Sequence, residues 1–290
     1  MSLPHLEPAP AKAAALAPAL LLDTDRIGAR LRAARDAFAT AAPYPHVVLD
    51  DFLPEATADV LAAEIDDPRL VWQPLHHVNE RKLVHGDLDR MGTTAAAVVR
   101  TLQAGPVLHD LECLTGIPDL LGDPELDGAG LHRMERGGYL NVHADALTHA
   151  KRRTWSRQLN LIVFLNRDWQ DEYRGGLELW SADVQTCVRR IAPVFNRAVL
   201  FRTTPTSFHG VPEAIACPAG RTRKSLALYY FRDEAHVVRL RPTHYVPRPA
   251  DSHLRRVLIH ADRALLALYS LLKRYTPIDD ARVARLLRHF

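Results

Sequence analysis

The chain has 290 residues, 47% apolar and 24% charged, enough for one large domain with appendages and ordinary for a protein that buries a core in water. Its net charge of +3, from 37 basic and 34 acidic residues, is too small to imply nucleic-acid binding. Three cysteines, Cys113, Cys187 and Cys217, without a Cys-x-x-Cys pair, argue against a disulfide framework or a structural zinc site and fit a reducing, cytoplasmic location.

Residues 1–22, rich in Ala and Pro, read as a flexible N-terminal arm. The apolar run 11–22 lacks a preceding basic cluster and is interrupted by Pro18, so it does not read as a signal peptide. Asp23 to Asp25 offer a cap for a helix carrying Ile27, Leu31, Ala34 and Phe38, which Pro43 and Pro45 end. His46 to Asp50 read as a strand, and Pro54 opens a helix through Ile65. Residues 76–92 are polar without a clear period and read as a surface loop, with a substrate lid as the functional alternative. Helical pieces follow over 94–103 and 106–114.

From Leu131 the pattern changes to short β-rich runs broken by Gly, Pro, Asn and Asp: 131–136, 139–146, 157–165, 177–181, 187–191, 198–203, 207–211 and 223–232. Many short strands with turn signals predict a sandwich or jelly roll. Pro242, Pro247 and Pro249 mark a boundary. Beyond it, His253 to Lys273 form an amphipathic helix with Leu254, Val257, Leu258, Ala261, Leu265, Leu268 and Leu272 on one stripe. Its basic residues would suit a membrane or partner, but the commoner use of such a stripe is to pack on its own domain. Asp279 and Asp280 can cap a last short helix. No run of eighteen apolar residues predicts a membrane span.

Three His-x-Asp triplets occur: His85/Asp87, His143/Asp145 and His260/Asp262. About one is expected by chance in a chain of this composition, so geometry has to choose among them. On a strand, residues i and i+2 share a face, whereas on a helix they diverge by about 200°. His260 and Asp262 fall in the amphipathic helix, and His85 and Asp87 in the polar segment. His143 and Asp145 follow Gly137-Gly138 in the β-rich half, and His209, 64 positions later, is a third ligand that returning strands can deliver. Two His and one carboxylate can hold one face of an Fe(II) octahedron and leave the other positions open.

Residues 223–231 (RKSLALYYF) alternate, with Arg223, Ser225, Ala227 and Tyr229 on one face and Leu226, Leu228 and Tyr230 on the other. A guanidinium on a buried strand needs an anion, because an unpaired buried charge is costly. A carboxylate of a co-substrate, gripped by two charge-assisted bonds, is one such anion; an internal Asp or Glu is the other.

With these residues in hand, the chain resembles the 2-oxoglutarate and Fe(II)-dependent dioxygenases, in the branch that includes prolyl 4-hydroxylases. The resemblance runs from about Gly128 to Phe231, through His143-Ala-Asp145, Phe164-Leu-Asn-Arg-Asp-Trp169, Gly175-Gly-Leu-Glu-Leu-Trp180, His209-Gly-Val and Arg223-Lys-Ser225. It implies an α+β fold with a mainly β core, a double-stranded β-helix (jelly roll) with N-terminal flanking helices and C-terminal helices. The expected division is an arm (1–22), an oxygenase domain (23–240, jelly-roll core from about 128) and a C-terminal helical extension packed on the core (241–290).

The resemblance further implies Fe(II) on His143, Asp145 and His209, with Arg223 pairing the distal carboxylate of 2-oxoglutarate and Ser225 assisting. O2 is then consumed, with ascorbate as a reductant, and succinate and CO2 are released as a C–H bond is hydroxylated. Asp145 argues against halogenation, since related halogenases lack that carboxylate. Two departures stand out. Phe164 occupies a position where many prolyl hydroxylases carry Tyr, so Asn160, Tyr139 or Tyr229 would replace its hydroxyl, and Arg221 is a fallback anion partner. The interval from His209 to Arg223 is long and requires a loop or bulge. The substrate side is assigned to the 76–92 segment, with Asn79, Arg81 and Lys82 as candidates beside Tyr229. A free amino acid, a peptidyl residue and a small natural product all remain open as substrates. The competing function is a non-catalytic jelly-roll module that binds metal or ligand.

Overall fold

The computed structural model describes residues 22–275, so the expected N-terminal arm and the helix capped by Asp279 and Asp280 lie outside the described residues. Its elements in chain order begin with α1 (Thr24–Ala33), α2 (Arg35–Thr40), β1 (His46–Leu49), α3 (Glu55–Ile65), β2 (Gln73–His77), β3 (Glu80–His85), α4 (Thr93–Leu102) and α5 (Gly105–Thr115). The β-rich half contains β4 (Leu121–Gly122), β5 (Gly130–Met134), β6 (Tyr139–Ala144), β7 (Trp155–Phe164), β8 (Leu177–Trp180), β9 (Cys187–Ile191) and β10 (Arg197–Arg202). It ends with β11 (His209–Val211), β12 (Arg223–Asp233) and β13 (His244–Tyr245), before the long α6 (His253–Tyr275).

The strands pair in the order β1-β10-β7-β12-β5-β3-β6-β11-β8-β9. Every pairing is antiparallel. β3 joins the two halves of this curled sheet, because it pairs with β5 on one side and β6 on the other. The halves face each other across Phe164, Leu177, Leu179, Ile191, Val199 and Phe201, contributed by β7 and β10 on one side and β8 and β9 on the other. This is the double-stranded β-helix that many short alternating strands require.

Strand alternation decides what each face meets. On β10, Ala198 and Leu200 join the core beneath the helices, while Val199 and Phe201 point between the sheet halves. On β12, Leu226, Leu228 and Tyr230 are buried in the helix-side core with Leu31, Leu61, Val98, Leu102 and Leu111. That leaves Arg223 and Ser225 on the opposite, interior face. The helices therefore close the outside of one sheet half and leave its inside for polar chemistry.

Three local expectations change. The first helix is two, α1 and α2, meeting at Ala34. The 76–92 segment is a loop only beyond His85, because β2 and β3 make a hairpin over 73–85. Its strands escaped notice because the buried Glu80 and half-buried Lys82 are charged and pair with each other at 3.0 Å, which hides the apolar alternation of an ordinary strand. Finally, α6 does not turn its leucine stripe inward. Ile259 is its buried residue, and Leu254, Val257, Leu258, Leu265, Leu268 and Leu271 are exposed. Polar contacts explain the rotation: Asp262 reaches His77 and Asn79, and Arg255 reaches Asn141.

Candidate functional site

β6 carries His143 inward near its end, Asp145 follows one residue beyond the strand, and β11 places His209 directly opposite His143. Their potential ligand atoms all lie within 4.8 Å of one another. His143 Nε2 is 3.4 Å from Asp145 Oδ1, and His209 Nε2 is 3.5 Å from Asp145 Oδ2. Metal–ligand bonds near 2.1 Å at right angles would set such atoms about 3 Å apart. Both imidazoles are buried.

Each histidine is held by the carbonyl two residues before it. His143 Nδ1 lies 2.9 Å from the Asn141 oxygen, and His209 Nδ1 lies 3.0 Å from that of Ser207. A ring that donates from Nδ1 presents the Nε2 lone pair to a metal. Burial, the largest influence on His209, pushes its imidazole down to about 4, so the ring is neutral at neutral pH. Asp145 behaves oppositely: burial opposes its charge most strongly, but Arg157, His209 and His143 together hold the carboxyl well below the usual range. Two imidazoles and one carboxylate converging in the sheet interior fit a divalent metal with open positions, as in non-haem iron sites.

The other triplets do not converge. His85 ends β3 with Nδ1 on the Val71 carbonyl, while Asp87 is exposed past the strand. His260 is exposed on α6, whereas Asp262 turns inward to His77.

Arg223 lies on the interior face of β12, 5% exposed. Its Nε donates to the Gly175 carbonyl at 2.7 Å, and its guanidinium carbon stands 4.8 Å from the centre of the Phe164 ring. No ion pair joins it to an acid among the described residues, and burial alone pushes its pKa down to about 10. A buried guanidinium with no acidic partner among the described residues can accept an anion from outside the chain. Ser225 is buried one step along the same face, between His132 of β5 and Phe164 of β7. Arg221, by contrast, sits over Tyr173 and donates to the Asp168 carbonyl. The long interval before Arg223 is a loop whose Ile215 and Cys217 are buried against Met134 and Val211.

The groups considered as stand-ins for a hydroxyl at position 164 are already engaged. Asn160 donates to Asp145 Oδ2 at 2.5 Å and accepts from Arg157 Nε at 2.9 Å and from the Thr203 hydroxyl at 3.3 Å. The Tyr139 hydroxyl donates to the carbonyls of His77 and Val78, and that of Tyr229 to Gly128. In the hairpin, Arg81 is exposed, Asn79 is buried against Asp262 and Asn141, and Lys82 is half-buried and paired with Glu80.

Sequence reading missed Arg157. It is 8% exposed, stacks with its guanidinium carbon 3.2 Å from the centre of the Tyr229 ring, and holds Nη1 3.8 Å from Asp145. Strict alternation puts residues 157 and 160 on opposite faces. On β7, however, Leu159 pairs Tyr230 and Arg157 pairs Phe231, so Gln158 is an extra residue. This bulge turns Arg157 to the interior, and no period in the sequence announces it. Tyr245, opposite His143 on β13 with ring centroids 5.2 Å apart, was also missed because its strand is two residues long.

No curated protein matches the chain by sequence. Residues 129–231 match the family model of the 2OG-Fe(II) oxygenase superfamily. The structure is similar to a prolyl-4-hydroxylase from Pseudomonas putida, at 20% identity and a TM-score of 0.53, covering 70% of this chain and 98% of that one. It is also similar to a prolyl 4-hydroxylase from Phytophthora capsici, at 17% identity and a TM-score of 0.51, covering 87% and 84%. These likenesses are of fold. The matched span, residues 129–231, carries the His143–Asp145–His209 cluster and the strands that position it.

Proposed function

We propose that the protein is a hydroxylase that places Fe(II) on His143, Asp145 and His209 and receives the distal carboxylate of 2-oxoglutarate on Arg223. One observation carries this reading: a buried arginine without an acidic partner among the described residues, in the same sheet interior as a buried His–Asp–His cluster. When bound, Fe(II) with 2-oxoglutarate and O2 supplies an oxidant able to remove hydrogen from an unactivated C–H bond, with succinate and CO2 released. The chain's own work is positioning. The carbonyls of Asn141 and Ser207 aim the two imidazoles, and Asn160 fixes the carboxylate of Asp145. Arg223 and Ser225 face the same space from β12.

On the substrate side stand Arg157 and Lys82. Arg157 Nη2 is buried without a hydrogen-bond partner in the structure, and suits a carbonyl or carboxylate oxygen of an amino acid, a peptidyl residue or a small natural product. Tyr229 backs Arg157, while Asn79 and Tyr139 hold the hairpin that carries Lys82. Arg81, exposed at the hairpin, is the outer member of this set. The catalytic unit is residues 23–240, and 241–290 are an appended helical segment. A reducing, cytoplasmic setting with ascorbate as reductant completes the reading and suits three free cysteines.

The test is succinate release by anaerobically purified protein supplied with Fe(II) and 2-oxoglutarate, then with O2. Slow uncoupled turnover is expected, and it disappears in His143→Ala and Asp145→Ala. Full turnover in either variant, or no binding of Fe(II) or 2-oxoglutarate by the wild type, would remove the proposal.

A further inference from the structure

α6 presents its most apolar surface to solvent. Of the ten large apolar residues exposed among the described residues, six lie on this one helix: Leu254, Val257, Leu258, Leu265, Leu268 and Leu271. Leu254 is 69% exposed and Leu265 66%. With the exposed Ala261 and Ala264 bridging Leu258 and Leu265, they make one continuous stripe on a rod about 34 Å long. Scattered exposed aliphatics are normal, whereas a contiguous stripe marks an interaction site.

The helix is held to the domain by its other side. Ile259 is fully buried, Asp262 bonds His77 and Asn79, Arg255 bonds Asn141, and Arg263 lies 2.6 Å from His244 Nε2. These anchors fix the rotation of the helix, so the stripe from Leu254 to Leu268 is turned outward, while Leu271 borders a cavity lined by Val237, Leu240 and Pro242.

Charge selects the partner. Of the five cations in the helix sequence, Arg255 and Arg263 are turned inward with its single acid, Asp262, which leaves Arg256, Lys273 and Arg274 with no acid in the helix to offset them. Arg256 and His260, both exposed, border the stripe. A second copy of this helix would bring basic edges together with no carboxylate between them. An aliphatic ridge with basic borders matches a lipid surface of negative charge, where apolar side chains enter the acyl boundary and cations meet the headgroups.

We propose that α6 docks the protein onto anionic membrane surfaces, lying in the plane of the interface with the Leu254–Leu268 stripe immersed. This does not depend on the reaction carried out at the His–Asp–His cluster.

Flotation of the full chain with phosphatidylcholine vesicles, and with vesicles containing about a third phosphatidylserine, tests it. The wild type should co-float with the anionic vesicles at least about tenfold better, and lose most of that binding between about 0.1 and 0.5 M salt. Leu258→Ser/Leu265→Ser should abolish flotation while circular dichroism and 2-oxoglutarate decarboxylation stay at wild-type values. Leu265→Trp provides a gain of signal, an indole emission that shifts to the blue on anionic vesicles only. Three results overturn the proposal. One is failure of the wild type to co-float. Another is a vesicle-free dimer that Leu258→Ser/Leu265→Ser converts to monomer, which makes the stripe a contact between copies. The third is an indole already shielded without lipid, which makes it a surface covered by protein.

Discussion

Asn160 donates from Nδ2 to Asp145 Oδ2 at 2.5 Å, so the one anionic member of the ligand cluster is held by a side chain from β7, four steps from β6 in the strand order of the curled sheet. The same amide accepts from Arg157 through its oxygen. Asn160 thus sets the orientation of the carboxylate and the guanidinium together, and neither can turn without breaking a buried bond.

Asn160→Ala should therefore weaken metal binding about 10- to 100-fold, the usual cost of losing a group that orients a ligand. Fe(II) titration under anaerobic conditions reads this directly. Asn160→Asp should be worse, because it sets a second carboxylate against Asp145. An unchanged Fe(II) affinity in both variants would show that Asp145 is oriented by something else.

Arg223→Gln should raise the KM for 2-oxoglutarate about a hundredfold, as expected from roughly 3 kcal/mol of charge-assisted bonding. It should also remove the rise in melting temperature that 2-oxoglutarate gives the wild type. The ligand-free variant should melt no lower than wild type, since it gives up a buried cation that lacks an acidic partner among the described residues. A large loss of stability without ligand would mean that Arg223 serves the fold.

Gly175 has φ +80, and a Cβ placed there would lie 2.6 Å from Ile215 Cδ1 and 3.1 Å from Arg223 Cδ. Its carbonyl receives Arg223 Nε. Gly175→Ala should cost about 1–2 kcal/mol of stability from the backbone alone. It should also raise the KM for 2-oxoglutarate by displacing Arg223, with the Fe(II) affinity preserved. Equal losses for both ligands would argue for general unfolding of the barrel instead.

His77 sits between Asp262 of α6 and Glu80 of β3. Burial works most strongly against its charge, but the hydrogen bonds and charges of Asp262 and Glu80 raise it to about 9. A raised value means that the imidazolium stabilises the fold fully below about 6.5 and loses that contribution as pH climbs to about 9. The shift corresponds to roughly 3 kcal/mol at most. Urea melts at pH 6.5, 8 and 9.5 should show wild type declining across this range more steeply than His77→Gln. Parallel declines would dismiss the pairing as a source of stability.

The ligand cluster was legible because strand alternation is a strong rule: only a His-x-Asp pair on a strand can aim both groups one way, and His143 and Asp145 supply it. Arg223 and Ser225 were legible for the same reason, on a strand whose other face is plainly apolar. The hairpin of β2 and β3 was not, because Glu80 and Lys82 satisfy each other inside the fold, and a charged pair in sequence looks like solvent-exposed chain. The direction of α6 is not legible either, because a stripe of leucines ordinarily faces the core. Asp262, Arg255 and Ile259 decide the matter, through contacts with residues more than a hundred positions away.

The bulge at Gln158 has a consequence for how β7 tolerates change. The strand is read in one phase from Leu159 to Phe164 and in the opposite phase from Trp155 to Arg157. Deleting this one residue would make the ladder regular and leave every other side chain of the strand on the face it has now, with Arg157 still opposite Phe231 on the interior side.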